Sequence, residues 1–203
     1  MGNRHYRATW LAVVVVLSAW TASAAEKGDK ADKKEAMGGN TQAQMKPPSE
    51  LQQLNGFVGS WKCTGKMHMP PEMGGEQTMS STMTIKKDMN GYWLVGQWKS
   101  EKTKTMPEMK GTMMWGYNVV DKKFVEMGVD SGGGMMHGSS QGPEGNKWVW
   151  NEEGVMMGKK MTTRTTVTLT NPSELEVRGE VEAEPGKWMP MEEDSCKKAK
   201  GVT

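Results

Sequence analysis

The chain has 203 residues, a quarter of them charged, with a formal net charge of +2. Arg4 and Arg7 belong to an N-terminal stretch with the features of a leader, and past it 24 basic residues face 24 acidic ones. That balance gives no electrostatic case for nucleic acid, which is held by clustered Lys and Arg on phosphates. The 21 methionines, against two phenylalanines and the single isoleucine Ile85, show that thioethers have replaced branched aliphatics. Such side chains adapt to irregular apolar guests and are soft ligands for monovalent copper, so both readings point to binding rather than catalysis.

Residues 1–24 read as a signal peptide: a short basic region, an apolar run from Trp10 to Leu17, and the small triplet Ala22-Ser23-Ala24 before a cleavage point. The apolar run is too short to span a bilayer, and no cysteine follows the expected cut to carry a lipid. The expectation is an exported protein, periplasmic or secreted, with no membrane span. Residues 25–47 mix charge, glycine and polar side chains with little to bury and read as a flexible tether. The remainder, 48–203, is long enough for one domain with a sizeable core.

Ser49 followed by Gln52 suggests a capping box, and Leu51 and Leu54 share a face, so a helical turn or two is expected before Gly56. From Trp61 the period changes to two. Trp61, Cys63, Gly65, Met67 and Met69 fall on one face, and Lys62, Thr64, Lys66 and His68 on the other. The pattern recurs at 77–87, 92–101, 110–119, 124–131, 135–141, 146–153, 158–170 and 174–184, with a last strand after Pro185-Gly186. Turn signals separate the runs, among them Asn90-Gly91, Gly132-Gly133-Gly134, Gly142-Pro143 and Asn171-Pro172. The clearest strand sets Leu175, Val177, Gly179, Val181 and Ala183 against Glu176, Arg178, Glu180 and Glu182.

About ten short strands without intervening helices imply an all-β antiparallel meander, and no fixed repeat favours a propeller or solenoid. Closure into an up-and-down barrel removes the exposed edges and turns the apolar face inward. Cys63 in the first strand and Cys196 in the last become neighbours in a closed sheet, and a disulfide is the expected state for an exported chain. Two free buried thiols are the alternative.

Phe57-Val58-Gly59-Ser60-Trp61 resembles the Gly-x-Trp entry of lipocalin-like, or calycin, barrels. That segment, together with Met67-His68-Met69-Pro70-Pro71, Met114-Trp115-Gly116-Tyr117-Asn118, Lys122-Lys123-Phe124-Val125 and Val129-Asp130-Ser131, is similar to a bacterial family known as domain of unknown function 1579. The resemblance covers most of 48–198 and implies the barrel rather than an activity. Haem barrels resembling nitrobindin open similarly but use a histidine near the chain's end. Here the histidines past the leader are His68 and His137, so no haem is expected.

Taking each strand's more apolar face as inward gives a lining of Met67, Met69, Met79, Met83, Ile85, Leu94, Trp98, Met113, Trp115, Tyr117, Val125, Met127, Val129, Met161, Val167, Leu169, Val177 and Val181. Ser81, Thr163 and Thr165 would supply polar atoms. Of these, Met79, Met83, Leu94, Trp98, Met113, Trp115, Tyr117, Met127 and Met161 are the candidate contacts for a small apolar or amphipathic ligand. The same face serves equally to fill a solid structural core. An alternative is a copper(I) or silver(I) site built from Met67, His68, Met69, Met73, Met135, Met136 and His137, with Met156 and Met157 also near a turn. Reversible oxidation of the methionines is a third use. Asp130, Ser131 and His137 supply the residue types of a hydrolase triad, but no nucleophile elbow surrounds Ser131, and no catalytic role is expected.

Overall fold

Half-apolar strands leave unpaired edges unless the sheet closes, and in this chain it does. A computed structural model describes residues 46–199. The signal-peptide reading at 1–24 and all but the last two residues of the tether reading at 25–47 lie outside the described residues. Among the described residues, ten antiparallel strands form one closed barrel in which each pairs with its neighbours in sequence and the last returns to the first. They are β1 (Gly59–His68), β2 (Glu76–Asp88), β3 (Trp93–Ser100), β4 (Met109–Asn118), β5 (Lys123–Asp130), β6 (Met135–Ser140), β7 (Lys147–Met156), β8 (Lys159–Asn171), β9 (Glu174–Glu184) and β10 (Lys187–Lys198). No helix among the described residues is long and apolar enough to cross a membrane.

The seam lies between β1 and β10, where Cys63 is directly opposite Cys196 and the two form a disulfide. Their Cα atoms are 4.0 Å apart across a sequence separation of 133 residues. Tying a loop of this length restricts the unfolded chain and contributes roughly 4 to 5 kcal/mol in the chain-entropy model.

The segment before β1 is a 3-10 helix, Ser49–Phe57, and it closes the end of the barrel from which β1 departs. The expected capping box does not form. Pro48 holds the cap position without a side-chain bond, and the Ser49 hydroxyl donates to Glu50 instead. A 3-10 turn has a different rise and hydrogen-bond spacing from the α-helix that the box requires. Burial of Leu51, Leu54 and Phe57 holds the segment in place. The Trp61 indole N–H donates to the Phe57 carbonyl at 2.8 Å, joining plug to wall.

Around this plug the inward side chains make a buried apolar core. Trp148 meets Phe57 and Phe124 edge-on, with centroids at 5.6 and 4.9 Å, and lies parallel to Trp150 at 5.8 Å. Tyr117 meets Phe124 edge-on at 5.0 Å. Each such pair contributes about 0.5 to 1.5 kcal/mol beyond its buried area. Ile85, Leu94, Leu175 and the disulfide complete this end, called the base below.

Candidate functional site

The strand register assigns every wall position, because residues opposite one another in a sheet point to the same face. Starting from buried Trp61 and Cys63, the inward set passes through Met83 and Ser81 on β2, Trp98 on β3, and Gly111, Met113 and Trp115 on β4. It continues through Glu126 and Gly128 on β5, Met136 and Gly138 on β6, and Glu152 and Gly154 on β7. Met161, Thr163 and Thr165 on β8, Gly179 and Val181 on β9, and Glu192 and Asp194 on β10 close the ring. Towards the end opposite the plug, Met67, Met79, Met109, Met113, Met136 and Met161 all face inward and all are half-buried. Solvent thus reaches inward-facing side chains in this half, the mouth, as it does not at the base.

Missing side chains shape the mouth. A Cβ on Gly128 would overlap the Met113 sulfur and lie 3.3 Å from Met136 Cγ, so this glycine lets two methionines from flanking strands converge over β5. One step towards the base, Gly138 is paired with Glu126 on one side and Glu152 on the other. A Cβ there would lie 3.0 Å from Glu126 Oε1 and 2.8 Å from Glu152 Cγ. Glycine therefore leaves room for two carboxyl groups to lean together. Gly65 does the same for Asp194, whose carboxyl occupies the space a Cβ would fill.

The result is a floor of acidic groups between the methionines and the aromatic base. Glu126 and Glu152 are buried. Glu126 Oε2 accepts from the Trp115 indole N–H at 3.0 Å, while Oε1 is reached by no N–H or hydroxyl, only by a proton shared with Glu152. Glu152 Oε2 accepts from the hydroxyls of Thr163 at 2.5 Å and Thr165 at 3.1 Å. Burial first, then the charge of Glu152 and a hydrogen bond with it, hold Glu126 well above the usual carboxylate range, against the opposing pull of the Trp115 N–H. Glu192 is surrounded by protein while retaining some surface towards the lumen. Burial, then the charge of Asp194, a hydrogen bond with it, and the charge of Glu152 push Glu192 up to about 8. Burial also raises Asp194, opposed by its bond to Glu192. A carboxyl that keeps its proton near neutral pH is both donor and acceptor, so the floor presents both kinds of hydrogen-bonding group to the lumen.

Most of the candidate ligand contacts do face inward, but they divide between the two halves. Leu94 and Tyr117 pack in the base, and Met83 and Trp115 border it. Met79, Trp98, Met113 and Met161 stand higher in the lumen. Met127 is a correction: with Val125 and Val129 it lies on the outer face, Met127 at 45% and Val129 at 60% exposure. The inward face of β5 is Phe124, Glu126, Gly128 and Asp130, so the rule that the more apolar face points inward fails on this strand. Phe124, locked against Tyr117 and Trp148, sets the parity.

The residues of the alternative metal site are separated by the same alternation. Met67 faces inward, and Met69 follows it there, its sulfur accepting from Gln77 Nε2 at 3.9 Å. His68 points the other way, with Nδ1 3.5 Å from Glu76. Met136 faces inward, whereas Met135 and His137 face out, and Met156 and Met157 are exposed at a turn. Met73 lies in the 3-10 turn Pro71–Met73. Asp130 accepts from the backbone N–H groups of Gly132 and Gly134 at 2.7 and 3.0 Å, and Ser131 Oγ accepts from the Lys110 N–H, so both brace the β5–β6 turn. His137 stands on the outer wall, apart from both.

Periodicity alone does not disclose the acidic floor. One signal was available: Trp148, Trp150 and Glu152 alternate on one face, which puts a carboxylate on an otherwise aromatic stripe. Two grooves, one lined by Gln77, Thr78, Glu101 and Lys104 and another by Thr64, Thr166, Arg178 and Glu193, are lined almost wholly by polar and charged residues. They lack the apolar wall that a lipophilic guest needs.

A family model described as "Protein of unknown function (DUF1579)" matches residues 46–198. No curated protein sequence matches the chain. Among solved structures, Rv2717c from M. tuberculosis is similar, with a TM-score of 0.59 at 11% identity over 76% of this chain and 99% of that one. The S-type phycobiliprotein lyase CPES from Guillardia theta is similar at a TM-score of 0.50 and 10% identity, over 77% of this chain and 100% of that one. At such identities the likeness is one of fold, a lipocalin-like barrel.

Proposed function

This chain belongs to the DUF1579 family, and from the unlike halves of its barrel we propose that it is an exported, non-enzymatic carrier or sensor holding one small amphipathic molecule in the mouth. The observation that carries the reading is the stack of layers along the barrel axis. Half-buried methionines lie above a floor of acidic groups, which lies above a sealed aromatic base. A barrel built only to be solid gains nothing from burying carboxyls beneath accessible thioethers, since buried polar groups destabilise unless partnered. Adaptable apolar walls with a few placed polar groups are what small-molecule sites require. The disulfide suits an oxidising compartment and supports export.

Native mass spectrometry of the protein purified from its own cells, compared with the denatured, non-reduced chain, tests this. A bound organic mass that leaves on denaturation is the expected result. A copper-sized increment would favour the soft-metal reading, and a bare protein mass even after incubation with lipophilic extracts would favour a filled structural barrel.

A further inference from the structure

We propose that the polar end of the ligand is a cation, a protonated organic amine seated on the paired carboxyls of Glu126 and Glu152, with its apolar body against Met113, Met136 and Met161. This rests on the carrier reading above and adds the chemical class of the guest.

Three observations carry it. Glu126 is 4% exposed, faces inward, and has one oxygen satisfied by the Trp115 N–H and the other, Oε1, reached by no N–H or hydroxyl, only by a proton shared with the carboxyl of Glu152. A buried oxygen without an N–H or hydroxyl donor is destabilising, and a guest bringing N–H groups removes that defect. Second, the lumen holds acids without bases. Among the described residues, register puts three bases on inward positions: Lys87 and Lys159, both exposed at strand ends, and Lys198, which is committed at the base, its ammonium 4.8 Å from the Trp61 ring centroid and 3.5 Å from the Gly56 carbonyl. Arg164 is on the outer wall, bonded to Glu180 and stacked on Trp188. Third, the carboxyls are too dispersed for a metal ion. Among the described residues, the one group of three ligating atoms within 4.8 Å of one another comprises Asp194 and the two disulfide sulfurs. A bare divalent ion needs several oxygens at about 2.0 to 2.6 Å, whereas an ammonium is satisfied by two carboxyl oxygens together with a hydroxyl or water for its third N–H.

The wall above fits the remainder of such a guest. Met113 and Met136 converge over Gly128, and Met161 faces Gly154, so unbranched thioethers pack directly above Glu126 and Glu152 and can swing aside for a guest. The proton balance is simple. The amine enters as its ammonium, and the proton that burial places on Glu126 departs to solvent, so the positive charge is exchanged rather than added. Glu152, Glu192, Asp194, the Trp115 N–H and the hydroxyls of Thr163 and Thr165 are the other groups facing this exchange.

The test compares n-octylamine, n-octanol and n-octanoate at pH 7, titrated into the full mature protein and read by calorimetry. Octylamine is expected to bind about tenfold or more tightly than octanol, since hydrogen bonds to charged groups are roughly twice as strong as neutral ones. Glu126→Gln, a near-isosteric change that retains the fold, should bring octylamine down to the level of octanol and leave octanol within about twofold. The double variant Glu126→Gln/Glu152→Gln should extend the loss. Octanol equal to or tighter than octylamine, tighter octanoate, or an amine preference that survives both variants would overturn the cation assignment and leave the carrier reading standing. If none of the three binds, carrier and cation readings fail together.

Discussion

The base and the mouth of this barrel are built on the same strands yet follow opposite rules. At the base, Trp61, Leu94, Phe124 and Trp148 are almost fully buried against a helical plug, with the β1–β10 seam stapled by a disulfide. In the mouth, flexible methionines stay partly accessible, glycines replace side chains where neighbours lean in, and four acidic groups point inward without an inward base beside them. Stability is concentrated where the barrel is sealed, and the other half is free to violate packing rules, as proteins do at functional sites. On the proposed carrier reading, the base folds the molecule while the mouth keeps polar capacity for a guest.

The sharpest way to break this contrast is to cut the staple. Replacing Cys63 and Cys196 together by serine should cost up to roughly 4 to 5 kcal/mol in urea unfolding. A loss below about 1 kcal/mol would mean that closure is maintained elsewhere. Next, Trp148→Ala in the base should cost about 3 to 5 kcal/mol, whereas Met113→Leu in the mouth should stay under about 1.5 kcal/mol. Equal costs would erase the distinction between a packed and an adaptable half.

The acidic floor adds a pH dependence of unusual sign. Carboxyls raised by burial bind protons more tightly in the folded than in the unfolded chain, so stability is greatest at acid pH and falls as pH rises. For Glu192 the window runs from its ordinary 4.5 to about 8, with Glu126 and Asp194 acting in the same direction. The expected loss across that window is about 2 to 4 kcal/mol, discounted for the lumen water that reaches Glu192. Glu192→Gln should flatten most of it, and a unfolding midpoint that rises with pH would contradict the buried floor. Smallest of all, Val129→Ser on the outer wall should shift stability by no more than about 0.5 kcal/mol. A core-sized loss there would restore the inward reading of β5.

Most of the architecture was legible because alternation with turn signals is a strong code for strands. Asn90-Gly91 lies at a turn where Asn90 and Gly91 adopt positive φ of 58° and 85°, and Cys63 faces Cys196 once the meander closes. The capping box failed because a 3-10 segment does not offer α-helical spacing. On β5 the alternation itself was correct, but polarity gave the wrong face: Val125, Met127 and Val129 look like a core stripe, and only the contacts of Phe124 with neighbouring strands decide otherwise. The acidic floor was hidden for a related reason. Glu126, Glu152, Glu192 and Asp194 come from three strands, and nothing local to any of them announces that they meet. A strand whose better-buried face is the more polar one marks the site, and that becomes visible only through pairing.

The most direct measurement of the central claim is a methyl NMR titration of protein labelled at its methionine methyl groups, with octylamine as the guest. Resonances of Met67, Met79, Met113, Met136 and Met161 should shift together with one binding curve, while those of Met127, Met135 and Met89 stay in place. Shifts confined to the outer methionines, or no shift at any, would contradict a barrel whose mouth is its binding site.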